Sequence, residues 1–350
     1  MTSPRLPEPA PTLGLAVLPA DAGGSAPMEA LVADHASLAD GLARGSAGGK
    51  GLRPWLVAAV HDALGGGADG AVEAVGRAVE LLHTAFVVHD DVIDGDDLRR
   101  GQPSVPGWFE TEATAAGSRP DGARTYALAG AILTGDLALA GALRTVALCP
   151  ATPDVTRRLL DLFDAALRSS AAGELADVRL SLGIAEPSLD EVIAMEEHKT
   201  AVYSFELPMQ CGAVLAGVGP AVVGGVGEVG RRLGVAYQLL DDVHGVFGDE
   251  RHTGKSALGD LREGKRTPLV VHARTSSTWA EIAPHLGDPT LTPERAATVR
   301  RALEAGGSRA FVESLAADYV HAALAQATEL GLPGGFLDRI DWISQQLGAA

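Results

Sequence analysis

The chain predicts an all-α fold, on three observations. Apolar residues recur in helix-like segments along most of it, Gly, Pro and Asp punctuate those segments, and no run of alternating apolar and polar residues is long enough for a sheet. Residues 1–27 are rich in Pro, Ala and Gly and read as a disordered leader ahead of a single domain over 28–350. Helices are then expected at Met28–Arg44, at Arg53–Leu64, which runs into a triple glycine, and at Ala71–His89, which leads into an acidic cluster. The stretch Val105–Gly122, with its Gly, Pro, Ser and Thr, reads as a mobile loop beside that cluster, able to close over a substrate. Tyr126–Leu148 and Thr156–Leu182 follow. Leu189–Ala216 and Gly227–Val246 flank Gly217-Val218-Gly219-Pro220, a turn between two buried helices. Thr267–Arg274, Pro293–Glu304, Gly307–Leu330 and Gly335–Leu347 complete the set, and no repeat of fixed period stands out.

Composition bounds the function. A chain of 350 residues with 46% hydrophobic content can bury a sizeable core. Its net charge of -17 argues against nucleic acid or an anionic membrane as partner, since their phosphates demand a basic face. Cys149 and Cys211 share no metal-type spacing and are too few for a disulfide framework; they read as small core residues in a reducing cytoplasm. Leu207–Gly227 carries no charge and is long enough to span a bilayer, but two prolines and six glycines interrupt it, which argues against insertion. No secretory signal is apparent at the N-terminus.

Two acidic clusters carry the chemistry: Asp90-Asp91-Val92-Ile93-Asp94 with Arg99-Arg100 after it, and Asp241-Asp242-Val243-His244-Gly245 with Lys255 and Lys265 after it. Asp90 and Asp94 are four apart, so on a helix they aim together. Crowded carboxylates repel unless a cation sits between them, and a sparse oxygen pair suits Mg²⁺, which keeps part of its water shell and takes phosphate oxygens. Acidic runs in acidic proteins are usually solvated faces. Here each follows an apolar run, Leu81–Val88 and Val235–Leu240, so each ends a buried helix. Carboxylates with nearby cations point to diphosphate chemistry.

These residues, with Gly48-Gly49-Lys50-Gly51-Leu52-Arg53-Pro54, Lys199-Thr200, Tyr237–Asp242, Thr253-Gly254-Lys255 and Asp260–Lys265, resemble the trans-prenyltransferases, or polyprenyl synthetases, from about Met28 to the C-terminus. The resemblance implies an antiparallel helical bundle around a central cavity, a homodimer, and three Mg²⁺ ions that help an allylic diphosphate ionise to a cation. Isopentenyl diphosphate then attacks that cation and loses a proton. The resemblance makes Asp90 and Asp94 ligands of two ions and Asp241 with Asp260 the site of the third, with Asp91 and Asp242 orienting them. Arg99, Lys199 and Lys255 grip the allylic diphosphate. Lys50, Arg53, His83 and Arg100 form the pocket for isopentenyl diphosphate. Thr200 and Gln238 present neutral oxygens to the developing cation, and Lys265 closes over the loaded site. Glu174 and Asp177 resemble the polar pair that contacts metal-bound water, with glutamate in place of the commoner glutamine.

Each residue also has a plainer reading: His83 alone would be a core histidine, Lys50 a loop lysine, and Glu174 with Asp177 a solvated face. His89 beside Asp90 is discounted as a phosphohydrolase doublet, because that class needs more histidine ligands. Phe86 lies one turn behind Asp90 on the same face, with small Ala85 beside it, and is expected to stop the growing chain at geranylgeranyl length; a farnesyl or longer product is the alternative. A class I terpene cyclase and a noncatalytic subunit of a heteromeric synthase share the fold. The cyclase pattern fails at Gly245 or Val246, and a noncatalytic subunit would have lost the ligands that this chain keeps. Gly245 departs from the fuller family motif, which has aspartate there, so weaker metal binding is expected at the second cluster.

Overall fold

The structure is a computed structural model that describes residues 26–48, 51–67, 70–99, 101–248, 259–338 and 340. It is all-α apart from one small hairpin. In chain order the elements are α1 (Ala26–Ser46), α2 (Leu52–Ala63), α3 (Gly70–Asp94), β1 (Leu98–Arg99), β2 (Gln102–Pro103), α4 (Val105–Ala115), α5 (Pro120–Ala147), α6 (Pro153–Ser181) and α7 (Leu189–Glu196). A π-helix (Glu197–Glu206) leads into α8 (Leu207–Leu215), then come α9 (Pro220–Phe247), α10 (Gly259–Glu263), α11 (Pro268–Ala273), α12 (Trp279–Ile282), α13 (Pro293–Ala305) and α14 (Ser308–Glu329). The helix expected at Gly335–Leu347 is present over 334–338, and most of its remainder lies outside the described residues, as does almost all of the proposed leader.

The chain divides into two compact units, one running to Trp55 and over Gly70–Thr156, the other comprising Leu56–Asp69 and everything from Arg157. In the first, α3 packs on α5, and α1 and α4 cover α5 as well. Val88, Val105, Phe109, Ala127 and Ala131 form a buried cluster there, with Leu38, Val92 and Trp108 against it. In the second unit, α9 is the central rod, packed by α14, the π-helix and α8. Its core runs from Ala201 and Val235 through Leu239, Val243 and Leu261 to Val299 and Val312.

The segment expected as a mobile loop, Val105–Gly122, is instead α4, a turn and the start of α5. Ser104 caps α4 by accepting from the Gly107 N–H, Pro106 sits in its first turn where no N–H is needed, and Val105, Phe109 and Ala113 bury one face at i, i+4, i+8. Proline also explains why α5 and α9 begin earlier than expected, at Pro120 and Pro220. Helix α3 runs five residues past His89, through the whole acidic cluster, and ends at Gly95, whose φ of 74° lets the Asp96 N–H bond to the Asp91 carbonyl. The turn expected after Ala216 is present, with Gly217 at φ 76°. Among the described residues, α5 is long and apolar enough to cross a membrane by length and composition alone. Ala123, Ala127, Gly130, Ala131, Thr134 and Ala138 make its buried face.

Candidate active site

The first acidic cluster lies on the last turns of α3, a helix end with no basic residue of its own. Carboxylates at a helix C-terminus meet the negative end of its dipole, so the arrangement calls for a cation. Asp94 is exposed, Asp90 half-buried, and Asp91 is 2% exposed. Burial pushes the Asp91 carboxyl up to about 6, with the neighbouring Arg99 opposing the shift. Arg99 stands on the β1–β2 hairpin, where Leu98 pairs with Pro103 and Arg99 with Gln102. From there its Nε donates to Asp91 Oδ1 at 2.6 Å and its Nη2 to Asp90 Oδ2 at 3.2 Å. Asp91 thus orients a cation beside Asp90, while Asp90 and Asp94 share the outer face. Phe86 and His83 are half-buried on α3 one and two turns before the cluster respectively, with Ala85 buried beside them. Arg53 is half-buried in the first turn of α2, and Gly76 of α3 admits the adjacent Pro54, whose Cβ a side chain there would meet at 3.3 Å.

The second cluster is built differently. Asp241 is exposed on α9, Asp242 is 7% exposed, and Gln238 Nε2 donates to Asp242 Oδ1 at 2.9 Å. That bond fixes the Gln238 amide and turns its carbonyl oxygen the other way. Asp260, half-buried on α10, lies beside Gly245. Lys265 Nζ is 3.8 Å from Asp260 Oδ1 and 3.1 Å from Glu263 Oε2.

Behind Asp242 lies a group that sequence reasoning missed. Glu196, at the end of α7 and 3% exposed, hydrogen-bonds to Asp242. Two carboxyls can bond only if a proton is shared between them. Burial, and then the charge of Asp242, hold the Glu196 carboxyl well above the usual range; burial lifts Asp242 to about 7. Two adjacent acids precede His198-Lys199, and the packing of α7 against α9 separates them: Glu196 is buried and Glu197 half-buried.

The expected continuous helix Leu189–Ala216 is interrupted by ten residues of π-helix, a rare form that is frequent at functional sites. Lys199 and the half-buried Thr200 lie on it. Lys199 Nζ donates to Asp177 Oδ2 at 2.6 Å and lies 3.1 Å from Glu174 Oε2, so the two acids on α6 hold the lysine. Gly173 makes this close approach possible, since a Cβ there would overlap the Lys199 backbone N–H and lie 2.6 Å from its Cα. Three expected contacts, Lys50, Arg100 and Lys255, lie outside the described residues.

The donor set suits Mg²⁺: carboxylate oxygens, exposed or half-buried at Asp90, Asp94, Asp241 and Asp260, without nitrogen or sulfur ligands at these positions.

A family model described as polyprenyl synthetase matches residues 39–303. The chain is 34% identical over 228 residues to the geranylgeranyl diphosphate synthase of Sulfolobus acidocaldarius, an alignment covering 65% of this chain. It spans 63% of that relative's length, just under two thirds. It is 30% identical over 273 residues to the octaprenyl diphosphate synthase of Escherichia coli, covering 77% of this chain and 71% of that one. The solved geranylgeranyl pyrophosphate synthase of Corynebacterium glutamicum, complexed with isoprenyl diphosphate and magnesium, matches with a TM-score of 0.82 and 28% identity over 92% of each chain.

Proposed function

This chain belongs to the polyprenyl synthetase family and has its all-α isoprenoid synthase fold, and from that premise we propose that it is a Mg²⁺-dependent trans-prenyltransferase that joins isopentenyl diphosphate to an allylic diphosphate. The observation that carries the reading is the outer face of α3, where Asp90 and Asp94 stand a turn apart with Arg99 held against Asp90 by Asp91. Such a surface offers oxygen ligands and a forked cation side by side, which is what a metal-bound diphosphate needs.

Asp90 and Asp94 would hold two ions, and Asp241 with Asp260 a third. The ions, when bound, neutralise the leaving diphosphate and ease cleavage of its carbon–oxygen bond. Arg99, Lys199 and Lys255 take the allylic diphosphate; Lys199, balanced by Glu174 and Asp177, exchanges carboxylate for phosphate oxygens as it does so. Lys50, Arg53, His83 and Arg100 take isopentenyl diphosphate. Thr200 and the carbonyl oxygen of Gln238, whose amide nitrogen is committed to Asp242, offer neutral oxygens to the allylic cation without capturing it. The double bond of isopentenyl diphosphate attacks, and a proton leaves to restore neutrality. Lys265 closes over the loaded site.

Finer points of the reading are a geranylgeranyl product, limited by Phe86, and a cytoplasmic homodimer without membrane insertion, acting as one domain over 28–350. Apolar side chains exposed on α5, Tyr126, Ile132 and Leu133, are ones that a second copy would cover. Cys149 and Cys211 are both buried, which fits a reducing compartment.

Purified protein given Mg²⁺, labelled isopentenyl diphosphate and each allylic primer in turn should form a longer prenyl diphosphate, its length read by chromatography. No elongation with any primer would contradict the synthase reading. Cyclised hydrocarbon, or inorganic phosphate without prenyl product, would point to a cyclase or a phosphohydrolase.

A further inference from the structure

Along α9, Asp241 and position 245 stand four apart, the spacing that in α3 sets Asp90 and Asp94 on one face. Where α3 carries its second carboxylate, α9 carries Gly245. The space beside that glycine is filled: a Cβ built at 245 would overlap Asp260 Oδ2 and lie 3.2 Å from Asp260 Cγ. The third nearest atom is Asp260 Oδ1 at 3.9 Å, so all three belong to that carboxylate. A glycine inside a helix is unfavourable in conformational entropy, so its presence here calls for a compensating use of the space.

The short helix α10 is held so that Asp260 points to this place. Leu261 is fully buried in the α9 core, its carbonyl accepts from the Gly287 N–H at 2.8 Å, and the Lys265 N–H closes the turn on the Asp260 carbonyl at 3.1 Å. Lys265 Nζ lies 3.8 Å from the other carboxylate oxygen, Oδ1. Three acids, Asp241, Asp242 and Asp260, therefore converge at one stretch of α9, the third entering from another element.

We infer that Gly245 is the seat of the Asp260 carboxylate: the second carboxylate that α3 supplies from its own next turn is supplied to α9 by α10, and any side chain at 245 displaces it. Gly245 is a positioning residue, and Gly245→Asp does not repair a defect but places two carboxylates in one space. The ligand role of the seated carboxylate rests on the third-ion reading above; the seat itself does not.

Two measurements separate the two ideas. In metal-free protein, Gly245→Ala should raise the melting temperature by less than alanine for glycine inside a helix ordinarily does. In an Asp260→Ala background the same change should give the full rise, because the obstruction is gone. An equal rise in both backgrounds would overturn the seat. Mn²⁺ titration by electron paramagnetic resonance, with inorganic diphosphate present, then reads the ligand role. Gly245→Ala and Asp260→Gly should each weaken one class of site by about 10-fold or more, and the exchange variant Asp260→Gly/Gly245→Asp should regain much of the loss over Asp260→Gly. The expected melting pattern with unchanged Mn²⁺ affinity in every variant would leave the seat standing and overturn the third-ion reading alone.

Discussion

The two acidic clusters bring their carboxylates together by different constructions. In the first, a single helix supplies both outward carboxylates, and its inward acid, Asp91, is committed to a guanidinium. In the second, the outward carboxylates come from α9 and α10, and the inward acid, Asp242, is held by a glutamine and by another carboxyl group, Glu196. Cation-backed and proton-backed clusters respond differently to mutation and pH. The first cluster's geometry is local and survives as long as α3 does, whereas the second depends on how α10 docks.

The largest effect should come from breaking the local cluster. Asp90→Asn removes a carboxylate from the pair that carries the reading and should lower kcat by on the order of 10²–10³-fold, measured with saturating Mg²⁺ and primer. A loss below tenfold would show that the first cluster is not the main metal site. Next, Arg99→Gln takes the cation from a carboxylate that is 2% exposed and should cost about 1–3 kcal/mol in urea unfolding of the metal-free protein. The same protein should also fail to hold an allylic diphosphate. No loss of stability would mean that Asp91 does not depend on its guanidinium.

The pH response sharpens the contrast further. Asp91 is lifted to about 6 and Asp242 to about 7 by burial, both above the range of about 4 for an unfolded aspartate. The folded chain therefore keeps protons that the unfolded chain gives up. That favours the fold at low pH, and the contribution is lost as pH rises through 6 at the first cluster and 7 at the second. In metal-free protein, Asp242→Asn should flatten the fall in melting temperature approaching pH 7, and Asp91→Asn the part approaching pH 6. Parallel curves for the wild type and Asp242→Asn would remove the proton from the account of the second cluster.

Much of this was legible in the sequence and some was not, for identifiable reasons. The acid spacings and the apolar runs before them mark both clusters, because helix periodicity fixes which residues share a face. The stretch Val105–Gly122 misleads because its Gly, Pro, Ser and Thr content is that of a loop, yet Ser104 and Pro106 are helix-starting residues and Phe109 is a core anchor, 1% exposed. Helix α3 reads as ending at His89 because carboxylates at a helix C-terminus are unfavourable; Gly95 and Arg99 offset that only once the hairpin has formed. Glu196 and the Gly245–Asp260 contact escape sequence reading altogether, since each depends on which residues of distant segments come together. The π-helix leaves no periodic signal over ten residues.

The smallest expected effect concerns the product rather than the rate. Phe86 stands one turn behind Asp90, and Phe86→Ala should shift the product distribution toward longer chains while leaving the affinity for Mn²⁺ unchanged. An unaltered distribution would move the limit on chain length to other helices.

The comparison between the clusters is tested most directly by anomalous scattering from crystals grown with Mn²⁺ and a non-ionisable allylic diphosphate analogue. Metal peaks are expected against Asp90 and Asp94, with a further peak bounded by Asp241 and by Asp260 seated over Gly245. Metal at the first cluster alone, or a third ion held without Asp260, would contradict this arrangement.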